Sequence, residues 1–176
     1  GVECGAVLKA DAYGLGMAPV AAALVAEGCR TFFTAHLDEG VRLRTLLPAG
    51  TTIYVMHGAM PGAARDCLAH DLVPVLNDPG QLDEWRALAR ETGRVLPAAL
   101  QFDTGMARMG LAGADVDRLR QDPAWLDGLR PQLVMSHLAC ADEPLHPINL
   151  HQRQRFDAVR ALFPGVPGSL ANSSGV

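Results

Sequence analysis

Short apolar segments alternate with helical segments along the whole chain, and this alternation is the strongest constraint on its fold. Strands are predicted at Cys4–Leu8, Thr31–Ala35, Thr51–Met56, Leu72–Leu76, Val95–Phe102, Leu133–Met135 and Ser169–Ala171. Helices are predicted at Met17–Glu27, Asp38–Leu47, Ala63–Ala69, Asp78–Glu91, Ala114–Gln121 and Pro147–Phe163. This order is typical of parallel βαβ units. A (β/α)8 TIM-type barrel is the simplest closure, and because it has eight strands, the sequence predicts an α/β barrel that is incomplete in this chain.

Composition favours one globular domain that acts on small molecules. The 176 residues are 49% hydrophobic and 19% charged, which suits a sizeable core, and we find no domain boundary or internal repeat. The formal net charge of -4 offers no basic patch for nucleic acid or an acidic membrane. No apolar run is long enough for a membrane span, and residues 1–176 do not open with a basic segment followed by an apolar one. The four cysteines are widely spaced, so reduced thiols and a cytoplasmic location are expected.

The first strand leads a lysine into a glycine-rich turn. Lys9 lies at the carboxyl end of that strand, and Gly14 and Gly16 permit a change of direction before the next helix. Parallel α/β folds place their active sites at this end of the strands. An amine in apolar surroundings can lose its proton and attack an aldehyde, although a lysine at a strand end can also simply extend its ammonium into water.

The stretch Ala6-Val7-Leu8-Lys9-Ala10-Asp11-Ala12-Tyr13-Gly14-Leu15-Gly16 resembles the pyridoxal phosphate attachment segment of alanine racemases. Four further segments resemble motifs of that family in the same order: His36–Gly40, Asp103–Gly110, Met135–Glu143 and Ala171–Gly175. The resemblance covers essentially the whole chain. It implies that residues 1–176 are part of the pyridoxal phosphate-binding barrel domain, and that a β-rich C-terminal domain lies outside this chain.

The resemblance also implies roles for individual residues. Lys9 would bind the cofactor covalently and act as one of two bases. Arg108 would face the cofactor's phenolate or the substrate carboxylate, and His137 would stack on the cofactor ring. These three are the expected catalytic residues, and all three would also bind the cofactor. The residues expected at its phosphate are Tyr13, Asn172 and Ser173.

The residue types alone leave simpler interpretations open. Tyr13 could be interfacial packing, Arg108 an exposed loop arginine and His137 a structural histidine at a strand end. Asn172 and Ser173 could form a plain turn. His36 and Glu39 could suggest a metal pair, but no third ligand lies close in sequence, so no metal site is predicted.

The family's activity is the interconversion of L-alanine and D-alanine by removal and return of the α-proton, which supplies D-alanine for peptidoglycan. The resemblance therefore implies an isomerase that acts on an amino acid as a homodimer with a shared active site. A tyrosine of the partner subunit would be the second base, so this segment alone would be inactive. The alternatives are a non-catalytic pyridoxal phosphate-binding protein, a serine or broad-specificity racemase, and an inactive structural remnant.

One position departs from the family pattern. Many alanine racemases have a carbamylated lysine two residues before the position of Asp103, where it holds the arginine equivalent to Arg108. This chain has Gln101 there. A neutral amide oxygen can accept a hydrogen bond from a guanidinium, so we expect Gln101 to brace Arg108 without the charge of a carbamate.

Overall fold

The computed structural model describes residues 2–176, and they pack as two compact units. The first unit ends at Val75, and the second is Leu76–Val176. Each unit is built from parallel strands that alternate with helices, as the sequence predicts. No helix within residues 2–176 is long and apolar enough to cross a membrane.

The first unit contains parallel strands that pair in chain order: β1 (Ala6–Val7), β2 (Thr31–Thr34), β3 (Thr52–Val55) and β4 (Val73–Leu76), of which only the last residue belongs to the second unit. Its helices are α1 (Lys9–Tyr13), α2 (Met17–Ala26), α3 (Leu37–Arg44) and α4 (Ala64–Ala69). The core contains buried side chains from the strands and from the helices, among them Phe32, Leu43 and Ile53. Leu8 belongs to this core, so Lys9 is the first residue beyond it.

The second unit contains three further parallel strands, β5 (Leu96–Gln101), β6 (Leu129–Met135) and β7 (Gly168–Ser169). Its helices are α5 (Pro79–Thr92), α6 (Gly113–Gln121) and α7 (Pro147–Arg160), with a 3-10 helix at Pro123–Leu126. Helix α5 begins and ends as predicted, because the Asp78 carboxylate accepts a hydrogen bond from the Gln81 amide and Gly93 adopts φ +63° after the last turn. Trp85 anchors α5 in the core and donates its indole N–H to the Pro97 carbonyl at 3.0 Å.

All seven predicted strands and all six predicted helices are present, with shifted ends. The first strand pairs over two residues only, and the segment Leu133–Met135 lies, as predicted, in a strand, β6, which begins at Leu129. The 3-10 helix and α1 were not predicted. Helix α1 is the larger difference from the prediction, because the sequence indicates only a turn between Lys9 and Gly16.

Helix α1 is a single left-handed turn. Ala10, Asp11 and Ala12 have φ of 51 to 56° and ψ of 48°, and Tyr13 has φ of 55°. The turn is closed by backbone hydrogen bonds from the Ala12 amide to the Leu8 carbonyl and from the Gly14 amide to the Ala10 carbonyl, at 3.0 and 2.9 Å. Non-glycine residues in this conformation cost roughly 1–2 kcal/mol each. Contacts outside the turn must therefore offset several kcal/mol.

This strain predicts an unusual response to glycine. Ala10 is exposed, and Ala10→Gly should raise the free energy of unfolding by about 0.5–1 kcal/mol, because relief of left-handed strain exceeds the entropic cost of glycine. Ala23→Gly is the matched control at an exposed position of the right-handed helix α2, and it should lower the free energy of unfolding by about 0.5–1 kcal/mol. Urea denaturation of both variants tests this. Equal destabilisation would contradict the left-handed turn.

Candidate active site

Lys9 occupies the boundary between the core of the first unit and its surface. It follows Leu8, which is buried and whose amide donates to the Phe33 carbonyl at 2.8 Å. The Lys9 ammonium makes no hydrogen bond or ion pair with any residue from 2 to 176, and it lies 5.8 Å from the centroid of the Tyr13 ring. Lys9 is also the only lysine among the 176 residues. The chain thus presents one side-chain primary amine, and it makes no hydrogen bond or ion pair within residues 2–176.

Tyr13 lies beside this amine because of the left-handed turn. The two residues are four apart, and one helical turn separates them, so their side chains lie on the same face. Tyr13 is 64% exposed, and its hydroxyl has no partner within the described residues. An exposed aromatic side chain with an unpaired hydroxyl next to an unpaired amine is better suited to contact a ligand than to pack in a core.

The pair His36 and Glu39 is not arranged as a metal site. The Glu39 carboxylate accepts hydrogen bonds from backbone amides, and the His36 ring packs edge-on against His57 with ring centroids 4.4 Å apart. Among residues 2–176, no group of three His, Cys, Asp or Glu side chains could hold a metal ion.

In the second unit, Arg108 lies on a loop that turns back onto the end of β5. The Asp103 carboxylate accepts hydrogen bonds from the Gly105 and Ala107 amides at 2.9 and 3.0 Å, which closes the loop's first turn. The Leu111 amide then donates to the Gln101 carbonyl at 2.8 Å. Arg108 is exposed and makes no ion pair or hydrogen bond with the rest of residues 2–176. The loop is therefore fixed while its guanidinium remains available for an anion.

Gln101 does not brace Arg108 directly. Its side-chain amide is buried and donates to the Met109 carbonyl at 3.4 Å, so the expected hydrogen bond to the guanidinium is replaced by one to the neighbouring backbone. The expectation was wrong because the return of the loop brings a carbonyl within reach of the amide. Gln101 supports Arg108 through the loop, and the long distance indicates a weak bond.

His137 follows β6 and is half-buried. The Gln152 side chain brackets this segment, because its amide nitrogen donates to the His137 carbonyl and its oxygen accepts from the Ala139 amide, both at 2.8 Å. Gln152 is completely buried in α7. Its position in the apolar stripe formed with Phe156 and Val159 was the sequence signal that could have revealed this role.

A buried chain of hydroxyl groups joins the ends of β5 and β6. Ser136 Oγ donates to the Phe102 carbonyl at 2.7 Å, so the Thr104 hydroxyl, 2.7 Å away, is the donor to Ser136. Gln152 Nε2 lies 3.4 Å from Thr104 Oγ1 and completes the network. Buried and satisfied polar networks fix one arrangement of the backbone. The network therefore holds the Asp103 loop and the His137 segment in a fixed relation.

Asn172 and Ser173 lie after β7 in a turn that is closed by the Gly175 amide donating to the Asn172 carbonyl at 2.9 Å. Asn172 Oδ1 is buried and has no hydrogen-bond partner among residues 2–176, while Ser173 is exposed. Buried polar atoms normally have a partner in the working molecule. The Asn172 amide thus has hydrogen-bonding capacity left for a bound group.

The predicted site residues divide between the two units. Lys9 and Tyr13 are neighbours in the first unit. Arg108, His137, Asn172 and Ser173 follow β5, β6 and β7 in the second. Every one of them lies beyond the carboxyl end of a parallel strand, where α/β folds bind their ligands.

These features define an α/β protein with a lysine beyond its first strand that makes no hydrogen bond or ion pair among residues 2–176. Residues 1–176 match the family model for the alanine racemase N-terminal domain, so the chain belongs to that family. It is 51% identical over 176 residues to a catabolic alanine racemase of Mesorhizobium japonicum and 49% identical to an alanine racemase of Rhodospirillum rubrum. Both alignments include 100% of this chain, but they include only 46% of the Mesorhizobium protein and 47% of the Rhodospirillum protein. The chain thus spans about half the length of these curated relatives.

Solved structures agree with this membership. The alanine racemase of Bartonella henselae, described with covalently bound pyridoxal phosphate, is 35% identical and superposes with a TM-score of 0.94 over 98% of this chain and 50% of its own. The alanine racemase of Streptomyces coelicolor is 34% identical, with a TM-score of 0.84 over 99% of this chain and 49% of its own. The predicted fold class, a parallel α/β barrel that is incomplete in this chain, is confirmed.

The Arg108 loop generates a prediction at Gly110. An added Cβ there would lie 2.6 Å from the Asp103 nitrogen and 2.7 Å from the Phe102 carbonyl carbon, and the residue has φ +120°. Gly110→Ala should lower the free energy of unfolding by about 2–4 kcal/mol through overpacking and backbone strain. Gly113→Ala is the control, because nothing lies within 4 Å of its added Cβ, and it should change stability by about 0.5 kcal/mol or less. Urea denaturation measures both, and similar values would contradict the close approach at Gly110.

Proposed function

We propose that this chain provides the cofactor-binding part of a pyridoxal phosphate-dependent racemase that interconverts L-alanine and D-alanine. The observation that carries the proposal is Lys9, the only primary amine on a side chain of the 176 residues, unpaired and held on a strained turn beside Tyr13. Strain of this kind persists only where the surrounding structure maintains it, and it occurs preferentially at functional sites. The family membership favours alanine among amino-acid substrates.

The residues present fit the cofactor by their chemistry. An aldehyde needs an available amine, which Lys9 offers. A phosphate and a phenolate need donors, which the Tyr13 and Ser173 hydroxyls, the Asn172 amide and the Arg108 guanidinium can provide. None of these donor groups makes a hydrogen bond or an ion pair with another side chain among residues 2–176. His137 adds an aromatic ring on a segment that Gln152 holds in place.

In this proposal the chain's own residues position and move protons. Pyridoxal phosphate, when bound, would supply an electron sink that stabilises negative charge at the substrate's α-carbon. Lys9 would hold the cofactor covalently and, when its amine is released, would accept or return the α-proton at Nζ. Arg108 would orient an anionic oxygen of cofactor or substrate. His137 would fix the plane of the ring.

A second proton donor on the opposite face is required for racemisation, and the chain's two tyrosines do not suit that role. Tyr13 is adjacent to Lys9, and Tyr54 is buried against Phe33 with ring centroids 5.0 Å apart. We therefore propose that a tyrosine of a partner subunit, in a β-rich domain outside residues 1–176, completes the site in a homodimer. Residues 1–176 would then form one partial barrel domain of a cytoplasmic enzyme that supplies D-alanine for peptidoglycan.

The attachment proposal is tested by replacing Lys9 in the complete protein. Lys9→Ala and Lys9→Arg should both lose borohydride-fixed pyridoxal phosphate on peptide mapping, because a guanidinium keeps the charge but stays protonated and cannot attack the aldehyde. With wild type, L-alanine in deuterated water should gain deuterium at its α-carbon and become racemic. Cofactor fixed without α-proton exchange would identify a binding protein instead of an enzyme, and fixation at another residue would reject the role of Lys9.

The roles of Arg108 and Gln101 predict an order of effects. Arg108→Ala removes a charged donor and should lower kcat/KM by about 10²-fold or more. Gln101→Ala removes one weak neutral hydrogen bond to the Met109 carbonyl, worth at most about 0.5–1.5 kcal/mol, and should lower kcat/KM by about tenfold or less. Steady-state kinetics of the two variants gives the comparison. An equal loss would mean that Gln101 does more than support the loop.

A further inference from the structure

We propose that Glu39 is a positioning residue for Lys9, because its carboxylate fixes the left-handed turn that carries the amine. Glu39 lies in the first turn of α3, and α3 follows β2. The inference rests on the proposed function of Lys9 as the site of cofactor attachment. Neither the charge pattern of α3 nor the spacing of His36 and Glu39 predicted this role.

The carboxylate accepts hydrogen bonds from backbone amides of two separate segments. Oε1 accepts from the Ala10 amide at 2.7 Å. Oε2 accepts from the Ala35 amide at 2.8 Å and from the His36 amide at 3.1 Å. Ala10 directly follows Lys9, and Ala35 directly follows β2. One side chain therefore ties the residue after the lysine to the end of the neighbouring strand.

This contact fixes the direction of Lys9 through the peptide plane. The Ala10 amide belongs to the peptide unit between Lys9 and Ala10, and a peptide unit is planar. Holding its N–H in place sets ψ of Lys9 and φ of Ala10 together. Because φ of Ala10 is +51°, loss of the contact would let this residue relax to negative φ and turn Lys9 away.

The charge of Glu39 is needed as well as its length. Hydrogen bonds to an ionised acceptor are shorter and roughly twice as strong as neutral ones. A glutamine has one acceptor oxygen, and its NH2 group would face a backbone N–H on the other side. Glu39→Gln would therefore keep the volume of the side chain but lose the hydrogen bonds on one side of the group.

The turn has a second, weaker support from the same helix. Arg42 Nη2 lies 3.2 Å from Asp11 Oδ1, and that oxygen also accepts from the Met17 amide at 2.9 Å. The Arg42 and Asp11 side chains are 60% and 46% exposed, and exposed ion pairs stabilise little. The carboxylate of Glu39 is thus the main side-chain contact that holds the left-handed turn to α3.

The experiment uses the complete protein freed of cofactor, with pyridoxal phosphate as the probe. Glu39→Gln is compared with Asp38→Asn, which removes the same charge from the same helical turn at an exposed residue without a hydrogen-bond partner among residues 2–176. Glu39→Gln should raise the dissociation constant for pyridoxal phosphate about tenfold, and Asp38→Asn should change it by about twofold or less. Amide hydrogen exchange at Ala10 should be about tenfold faster in Glu39→Gln only.

A spectroscopic signature separates positioning from general stability. At saturating cofactor, Glu39→Gln should weaken the circular dichroism induced in the cofactor's absorption band, because the Lys9 amine is aimed differently, while Asp38→Asn leaves it unchanged. If borohydride fixes the cofactor on Lys9 and the two variants behave alike, the role of Glu39 is wrong and the proposed function stands. If wild type does not attach the cofactor to Lys9, the proposed function fails, and so does the proposal that Glu39 positions Lys9 for attachment. Unchanged exchange at both Ala10 and Ala35 would reject the contact itself, because a glutamine oxygen can accept on one side only.

Discussion

The hydrogen bonds of the Glu39 carboxylate to the Ala10, Ala35 and His36 amides are the interaction on which the site in the first unit depends. Backbone groups beyond the end of a strand have no partner in the sheet, so they need acceptors from elsewhere. Glu39 provides them for two adjacent segments. It thereby offsets part of the cost of a turn that four non-glycine residues would otherwise avoid.

In the second unit, other side chains provide hydrogen-bond partners for the backbone groups beyond the strand ends. Asp103 accepts from the amides of the loop that carries Arg108, and Gln152 bonds both a carbonyl and an amide in the segment that carries His137. In both units the backbone beyond the strands is held by carboxylates and amides, whereas the Lys9 amine and the Arg108 guanidinium are left without partners among residues 2–176. A rigid backbone with unpaired functional groups is what preorganised binding requires.

The sequence predicted the elements of the fold well, since each strand and each major helix has a local pattern of apolar residues and caps. Asp78 and Gly93, for example, mark both ends of α5. The left-handed turn was not predictable in this way. Ala10, Asp11 and Ala12 favour a right-handed helix or an ordinary turn, and positive φ is stabilised mainly by the contact of Ala10 with a residue 29 positions away. Gln152 was missed for the same reason, because its partners lie 13 and 15 residues away.

The motifs that resemble the family therefore contain two kinds of residue. Lys9 and Arg108 have chemistry to offer a ligand, but Gly40 and Gly110 serve packing and backbone approach. A Cβ on Gly40 would lie 3.0 Å from Leu72 Cδ1, so its absence lets α3 sit close to the core. That position of α3 brings Glu39 within reach of Ala10. The geometry of the lysine is thus set by a series of steric and polar contacts that leads from Gly40 through Glu39 to Ala10.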